Sequence, residues 1–293
     1  MSRLLIVDGH AYAYRAFYAI RELRSPAGRP TNAIYGFVKM LAKMRAGIAP
    51  THLIVVWDGG LSKERMAALP GYKAQRPEMP EDLEAQLDGI VSYLKAAGIA
   101  SFRRDDLEAD DYIACLARHA TEAGMTVVIA SADKDFMQLV SPQIGLLNPN
   151  DKTETIWTDE QVRMKTGVSP SQIVDWLALM GDSVDNIPGV SGVGPKTAAG
   201  LLNQFGSVTA LLGRLNEVKS EKIRTALSAA EPVVRRNLRL VQLHDVPCDF
   251  VPEELVEKTA DAGQLAGLFR QWGFNGLLKA LEKPVDMQQA VLI

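Results

Sequence analysis

The sequence predicts an α/β fold, a mostly parallel sheet flanked by helices, followed by a mainly helical region. Three observations carry that reading. Short apolar runs at 3–8, 52–58 and 126–131 have the length and composition of buried parallel strands. Helical periodicity separates them, so they are joined by crossovers, which are right-handed in such sheets. After about residue 160 the strand signals fade and only helical stretches follow.

Leu4-Leu5-Ile6-Val7 forms the first strand and ends at Asp8. The spacing of Ala33, Ile34, Phe37, Val38 and Leu41 predicts a helix before the second strand, Leu53-Ile54-Val55-Val56-Trp57, which ends at Asp58. Residues 59–76 are polar and basic, with Lys63, Arg65, Lys73 and Arg76 around Tyr72. Pro77 and Pro80 lead into a helix near 81–97, for which Gly98 suits the C-terminal cap. A helix over about 108–123 presents Tyr112, Ile113, Leu116 and Ala117 on its apolar face and stops at Gly124. A short strand near 144–147 and an edge piece at 155–157 complete this unit. Helices are then expected at 159–166, 171–180, 195–204, 207–212, 219–228, 231–241 and 261–282. The change of pattern divides the chain into an α/β unit, 1–165, and a helical unit, 166–293. No long linker separates them, so they share an interface, and 283–293 reads as a loose end.

No apolar stretch approaches the roughly 20 residues that span a bilayer. Met1-Ser2-Arg3 is too short a lead for a signal peptide, and a cytoplasmic protein fits. Cys115 and Cys248 are the only cysteines, so neither a disulfide framework nor a cysteine-based zinc site is expected. His10, His52, His119 and His244 show no metal-ligand spacing. A net charge of -3 argues mildly against nucleic-acid binding, but many acids concentrated in one cluster would hide local basic surface.

The carboxylates are the informative residues. Asp8, Asp58, Asp133 and Asp135 follow strand-like runs; Glu108, Asp110 and Asp111 open a helix; Asp182 and Asp185 follow another. Open α/β sheets bind ligands beyond the carboxyl ends of their strands, so adjacent strands would gather these acids at one edge. Singly, each acid also passes as a helix cap or turn residue. Jointly they do not, because two like charges about 4 Å apart repel by roughly 4 kcal/mol at an effective dielectric near 20. Oxygen ligands without nearby His or Cys suit Mg²⁺ or Mn²⁺. A two-ion site of that kind serves phosphodiester hydrolysis.

Two further segments bear on substrate. Lys73 and Arg76 share one face if helical and could hold a scissile phosphate, and Tyr72 could stack on an unpaired base; a solvated charged loop is the plainer explanation from composition. Gly189, Gly192 and Gly194 lead into a helix with Pro195 in its first turn and Lys196 beside it. Such a turn admits a phosphate to backbone N–H groups at a helix N-terminus, gripping nucleic acid without reading its sequence.

With these motifs in order, the chain resembles the 5′-nuclease (flap endonuclease) family, in particular the N-terminal 5′→3′ exonuclease domain of bacterial DNA polymerase I. The resemblance rests on Leu5-Ile6-Val7-Asp8-Gly9, Tyr14-Arg15-Ala16-Phe17, Tyr35-Gly36-Phe37, and Tyr72-Lys73 through Arg76-Pro77. It continues through Glu108-Ala109-Asp110-Asp111, Ala132-Asp133-Lys134-Asp135, and Leu179-Met180-Gly181-Asp182-Ser183-Val184-Asp185-Asn186-Ile187-Pro188-Gly189, and it covers about residues 3–282. It implies a Rossmann-like (PIN-type) sheet and a helix–hairpin–helix element. It implies two divalent ions, the tighter on Asp8, Asp58, Glu108 and Asp110, and the second completed or supported by Asp111, Asp133, Asp135, Asp182 and Asp185. Lys73 and Arg76 would lie near the scissile phosphate at the base of an arch over about 59–97, and Arg15 would contact phosphate. The glycine hairpin with Lys196 would grip duplex, with a K⁺ ion.

The implied activity is metal-dependent hydrolysis at DNA 5′ ends, nicks and flaps, in primer removal and excision repair, with an RNA primer on DNA as a further substrate. A monomer is expected, served by a DNA polymerase in cis or in trans, since a stand-alone nuclease and a piece of a longer polymerase both fit. The chain departs from the family after Asp58, where Gly59 stands in place of Ala and Glu64 in place of an aromatic, while Arg65 matches. The alternatives are a non-catalytic DNA-junction binder of the same fold, which would be expected to lack some of the acids, and an RNA-directed nuclease, which would not need the glycine hairpin.

Overall fold

The computed structural model describes residues 2–151 and 153–282; the expected loose end at 283–293 lies outside the described residues. The chain opens with β1 (Arg3–Asp8), whose Leu4, Leu5, Ile6 and Val7 are fully buried. α1 (Gly9–Ala19) follows without a loop, because the Asp8 carboxylate accepts the Ala11 N–H as an N-cap. Next come α2 (Asn32–Ile48), β2 (His52–Trp57), α3 (Lys63–Ala68), α4 (Glu81–Ala96) and β3 (Ala100–Arg103). α5 (Ala109–Glu122), β4 (Thr126–Ala130), β5 (Ile144–Leu147) and β6 (Ile156–Trp157) complete the sheet. Its order is β3-β2-β1-β4-β5-β6, parallel except for the antiparallel edge strand β6. Chain direction across the sheet reverses beside β1, which sets a crevice at its carboxyl end.

Strand alternation sends neighbouring residues to opposite faces. Leu4 and Ile6 pack with Ile113, Leu116 and Ala117 of α5, while Leu5 and Val7 pack with residues of α1, α2 and α4. The helical continuation builds on the α5 face. It comprises α6 (Asp159–Thr166), α7 (Ile173–Met180), the small β7 (Gly181–Asp182) and β8 (Ile187–Pro188) pair, α8 (Pro195–Phe205), α9 (Val208–Gly213) and α10 (Glu221–Val241). Fully buried Asn237 of α10 donates to the Ala178 and Pro188 carbonyls, 3.1 and 2.7 Å away, and so ties α10 to α7 and β8.

The architecture is the predicted one, with several local differences. The sequence reading places no helix at α1 or α3 and no strand at β3. α3 buries one residue, Arg65, and β3 has only half-buried and exposed positions, so neither carries an apolar signature. Two helices expected at 219–228 and 231–241 are the single α10, which runs through Pro232. A proline removes one helical hydrogen bond and costs about 3 kcal/mol, but Leu227, Val234 and Leu240 keep one face buried across it. The helix expected at 261–282 is instead broken at Gly273, φ +77°, into α11 (Ala262–Trp272) and α12 (Asn275–Glu282). These two return to the opposite face, where Phe269, Trp272 and Leu277 join the cluster of α1, α2 and α4.

Candidate active site

The carboxyl ends of β2, β1 and β4 lie side by side, and Asp58, Asp8 and Asp133 stand at or just beyond them. Asp110 joins from the first turn of α5, and Asp182 and Asp185 from the β7–β8 hairpin. These six carboxylates, with His10, Tyr14, Arg76 and Lys134, line one cleft of about 380 Å³. A second cleft, about 820 Å³, adjoins it and shares His10 and Asp58.

Backbone approaches that only glycine allows hold the acids here. A Cβ at Gly59 would stand 1.7 Å from the Arg104 carbonyl oxygen. Its absence lets the loop before α5 close on the end of β2, with Gly59 N–H donating to Leu107 O at 3.0 Å. Gly59 beside Asp58 thus serves packing. At the other wall, Gly181 has φ +76° and a Cβ at Gly189 would lie 2.2 Å from Met180 O. The hairpin carrying Asp182 and Asp185 needs both glycines, which gives Gly189 a packing role there.

Hydrogen bonds orient several of the acids. Asp8 accepts from Ala11 N–H at 3.0 Å and from the Ser131 hydroxyl at 2.7 Å, and Ser131 Oγ accepts the Asp133 N–H at 3.1 Å. Asp133 accepts the Asp135 N–H at 2.9 Å, and Asp182 accepts from Val184 N–H at 2.9 Å and Lys134 Nζ at 3.0 Å. Burial pushes the Asp8 carboxyl up to about 6, with Asp133 and Asp58 adding repulsion against those two hydrogen bonds. Asp110, Asp133 and Asp135 are raised as well, first by burial and then by the other acids, with Lys73 opposing at Asp110 and Asp133. His10 Nδ1 accepts the Asp58 N–H at 3.1 Å, which leaves its proton on Nε2, and burial lowers its basicity although Asp58 opposes this.

Not every expected residue faces the cleft. Asp111 is one residue on from Asp110, hence about 100° around the helix, and its carboxylate is taken by Arg65 Nη1 and Nη2 at 2.6 and 2.8 Å and by His244 N–H at 2.9 Å. It does not complete a second ion site. Glu108 is 2 % exposed and paired with Arg65 and with Lys73, whose Nζ is 3.0 Å away. Asp135 also does not line the cleft; its Oδ1 is buried without a hydrogen-bond partner among the described residues. Tyr72 is 4 % exposed, its hydroxyl 3.5 Å from Glu108, so it cannot stack on a base.

Lys73 and Arg76 are not on a common helical face, since Lys73 has φ +56° in a turn. Lys73 is buried behind Asp110, its Nζ 3.8 Å from that carboxylate; burial would weaken its hold on the proton, but Asp110 and Glu108 keep it above its ordinary value. Arg76 lies at the mouth, 2.6 Å from Asp185 Oδ1. From the segment expected to arch over the site, Lys73 thus lies buried behind the cleft and Arg76 stands exposed at its mouth. The sequence reading passes over Arg65, Lys134, Ser131 and His10 as members of the site. His10 alone had a usable signal, two residues beyond a strand-end acid.

The donor chemistry fits hard divalent ions. Six carboxylates, several of them raised by burial and mutual repulsion, dominate the cleft, with His10 the one imidazole in it, yet no three carboxylates bring oxygens within 4.8 Å of one another among the described residues. That spacing suits Mg²⁺, which keeps several of its waters and takes only one or two carboxylates directly.

Elsewhere, Gly194 is the N-cap of α8 with Pro195 at its first position, and the turn from Gly194 to Thr197 is solvent-exposed with Lys196 in it. Gly192 has φ +77°, and a Cβ there would meet only Ile223 Cδ1, at 3.6 Å. Arg15 is exposed on α1 and makes no ion pair among the described residues.

Comparison with known proteins agrees with this arrangement. The model of the 5′-3′ exonuclease N-terminal resolvase-like domain matches residues 3–167, and that of the 5′-3′ exonuclease C-terminal SAM fold matches residues 168–263. A 5′-3′ exonuclease of Aquifex aeolicus is 39 % identical over 285 residues, covering 97 % of this chain and 96 % of that protein. DNA polymerase I of Bacillus caldotenax is 36 % identical over 293 residues, but the chain spans only 33 % of its length. Among solved structures, bacteriophage T5 flap endonuclease in a pseudo-enzyme–product complex with DNA and metal ions superposes with a TM-score of 0.68 at 23 % identity, over 95 % of this chain and 97 % of that one, a likeness of fold.

Proposed function

The chain belongs to the 5′-3′ exonuclease family, and on that premise we propose that it is a divalent-metal-dependent nuclease hydrolysing phosphodiester bonds at DNA 5′ ends, nicks and flaps. The observation that supports this most is the single cleft lined by Asp8, Asp58, Asp110, Asp133, Asp182 and Asp185. In this reading one Mg²⁺ or Mn²⁺ ion sits among Asp8, Asp58 and Asp110 and a second among Asp133, Asp182 and Asp185, each taking one or two of these carboxylates directly and the rest through its waters. Bound there, such ions supply an activated water and stabilise the leaving oxygen.

The protein's own groups do the rest. Arg76 at the mouth is placed to hold a phosphate, exchanging Asp185 for it, and Lys134 is half-buried beside it. Lys73 acts from behind, its charge favouring the ionised form of Asp110 against burial and the neighbouring acids. The Nε2–H of His10 can donate to a strand entering from the adjoining cleft. We assign the catalytic role to the α/β unit, 1–165, and duplex binding to the helical part, through the exposed turn with Gly192, Gly194 and Lys196, where a K⁺ ion would sit. Primer removal and excision repair, an RNA strand on DNA as substrate, a monomeric state and cooperation with a polymerase follow from the same reading. No helix among the described residues is long and apolar enough to cross a membrane.

Incubating the purified chain with Mg²⁺ and a labelled 5′-flap duplex should release the flap as a 5′-phosphorylated product. Normal flap binding without any cutting would instead support a non-catalytic junction binder.

The raised acids predict a pH dependence. The folded state binds the Asp8 proton more tightly than the unfolded chain, so that stabilisation is present at low pH and is lost as pH rises through about 6. Metal-free protein should lose about 1 kcal/mol from Asp8 alone between about pH 5 and pH 8, and more with Asp110, Asp133 and Asp135. Millimolar Mg²⁺ should raise the melting temperature at the higher pH and much less at the lower. Thermal melts in chelator and in Mg²⁺ check this; equal Mg²⁺ effects at both values would contradict it.

A further inference from the structure

Away from the cleft, residues from two distant parts of the chain meet on the second half of α5. Cys115 and His119 stand one turn apart on α5, and Cys248 comes from the strap over 243–250, which has no helix or strand of its own. Donor atoms of all three lie within 4.8 Å of one another. The sequence carries no sign of this grouping, because the third residue is remote from the other two in the chain.

The i, i+4 spacing aims Cys115 and His119 at a common point. His119 Nδ1 is buried and has no hydrogen-bond partner among the described residues, a condition that buried nitrogens in native proteins rarely tolerate. Two sulfurs and a nitrogen form a softer donor set than the all-carboxylate cleft, and they suit Zn²⁺.

We propose that Cys115, His119 and Cys248 bind one Zn²⁺ ion, with water or the exposed Asp249 carboxylate in the fourth position. Two thiolates on a tetrahedral Zn²⁺ stand about 3.8 Å apart, so a movement of about 1 Å closes the set. Binding sends the two thiol protons to solvent. The ion clips the strap to α5, where hydrogen bonds already position it. His244 N–H meets Asp111 at 2.9 Å, Arg118 meets Leu243 O at 3.0 Å, Cys115 Sγ meets Val246 O at 3.2 Å and Arg104 meets Pro247 O at 3.3 Å. A segment without secondary structure at the end of a long loop gains most from such a cross-link. The strap also continues from the end of α10, whose Leu240 carbonyl, with that of Gln242, receives Arg65.

The test uses the reduced, metal-stripped chain, titrated with Zn²⁺ in excess Mg²⁺ so that the carboxylate cleft is satisfied by the hard ion. Metal analysis after dialysis should find one Zn²⁺ retained per chain. Co²⁺ in its place should show thiolate charge-transfer bands, and Zn²⁺ should raise the melting temperature. Cys248→Ser and His119→Gln, both at half-buried positions, should weaken Zn²⁺ binding by more than about a hundredfold, beyond the usual effect of losing an outer partner. Their metal-free melts should stay near the parent's. Failure to retain Zn²⁺ overturns the proposal, as does retention unaffected by both substitutions. A Cys115–Cys248 disulfide in the protein as isolated also overturns it, assigning the pair to redox chemistry.

Discussion

Asp110→Asn should slow single-turnover hydrolysis of a 5′-flap substrate by about 10³-fold or more while flap affinity stays within about threefold of the parent. The carboxylate lies in the first turn of α5, 22 % exposed and 3.8 Å from Lys73 Nζ, in the wall of the acidic cleft. Asn keeps its shape and removes its charge. Burial and the neighbouring Asp133, Asp8 and Glu108 all oppose ionisation of Asp110, with Lys73 opposing them. The uncharged variant should therefore be at least as stable as the parent in chelator, by about 1 kcal/mol, and should gain less from Mg²⁺. Cleavage kinetics, fluorescence anisotropy and thermal melts read the three quantities separately. Cleavage within tenfold of the parent would remove Asp110 from the ion site.

Arg65→Ala should cost about 3–5 kcal/mol of stability and lower the melting temperature by about 10 °C. Arg65 is 3 % exposed, and its guanidinium is fully committed. It takes Glu108, both oxygens of Asp111, Leu240 O at 2.9 Å and Gln242 O at 2.9 Å. Truncation leaves two carboxylates, 2 % and 4 % exposed, with Glu108 left to Lys73 and the more distant Tyr72 hydroxyl. It also releases α3 and the end of α10 from the N-terminus of α5, so cleavage should fall although Arg65 does not face the cleft. Lysine cannot reproduce the two-pronged grip on Asp111, so Arg65→Lys should recover only part of the loss. Denaturant unfolding of the three proteins measures this, and a loss below about 1 kcal/mol for Arg65→Ala would show that the network is not holding these segments together.

These two residues mark how far the sequence could be read. Asp110 was legible because it sits among strand-end and helix-start acids whose positions follow from apolar runs. Arg65 stood in a polar segment that looks like a solvated loop, and only the partners brought by α5 and α10 make it a buried clamp. Tyr72 and Lys73 were misjudged in the same way: both read as surface residues facing substrate, and both are buried against Glu108. Asp111 was grouped with Asp110 because they are adjacent, although one residue of helix turns it to another face. Gly189 reads as a phosphate contact in the sequence, and the fold adds a second demand for glycine there, where two backbone segments touch.

By itself the sequence determined the parallel sheet, the helical continuation and the acids at the strand ends, because apolar periodicity and strand termination are local properties. The tertiary structure alone decided which carboxylates face a common cleft and which are neutralised by Arg65 and Lys73. It also decided the return of α11 and α12 to the far face, and the meeting of Cys248 with Cys115 and His119. Those outcomes depend on contacts between residues far apart in the chain, where burial and charge pairing are set by the partner rather than by neighbours in sequence.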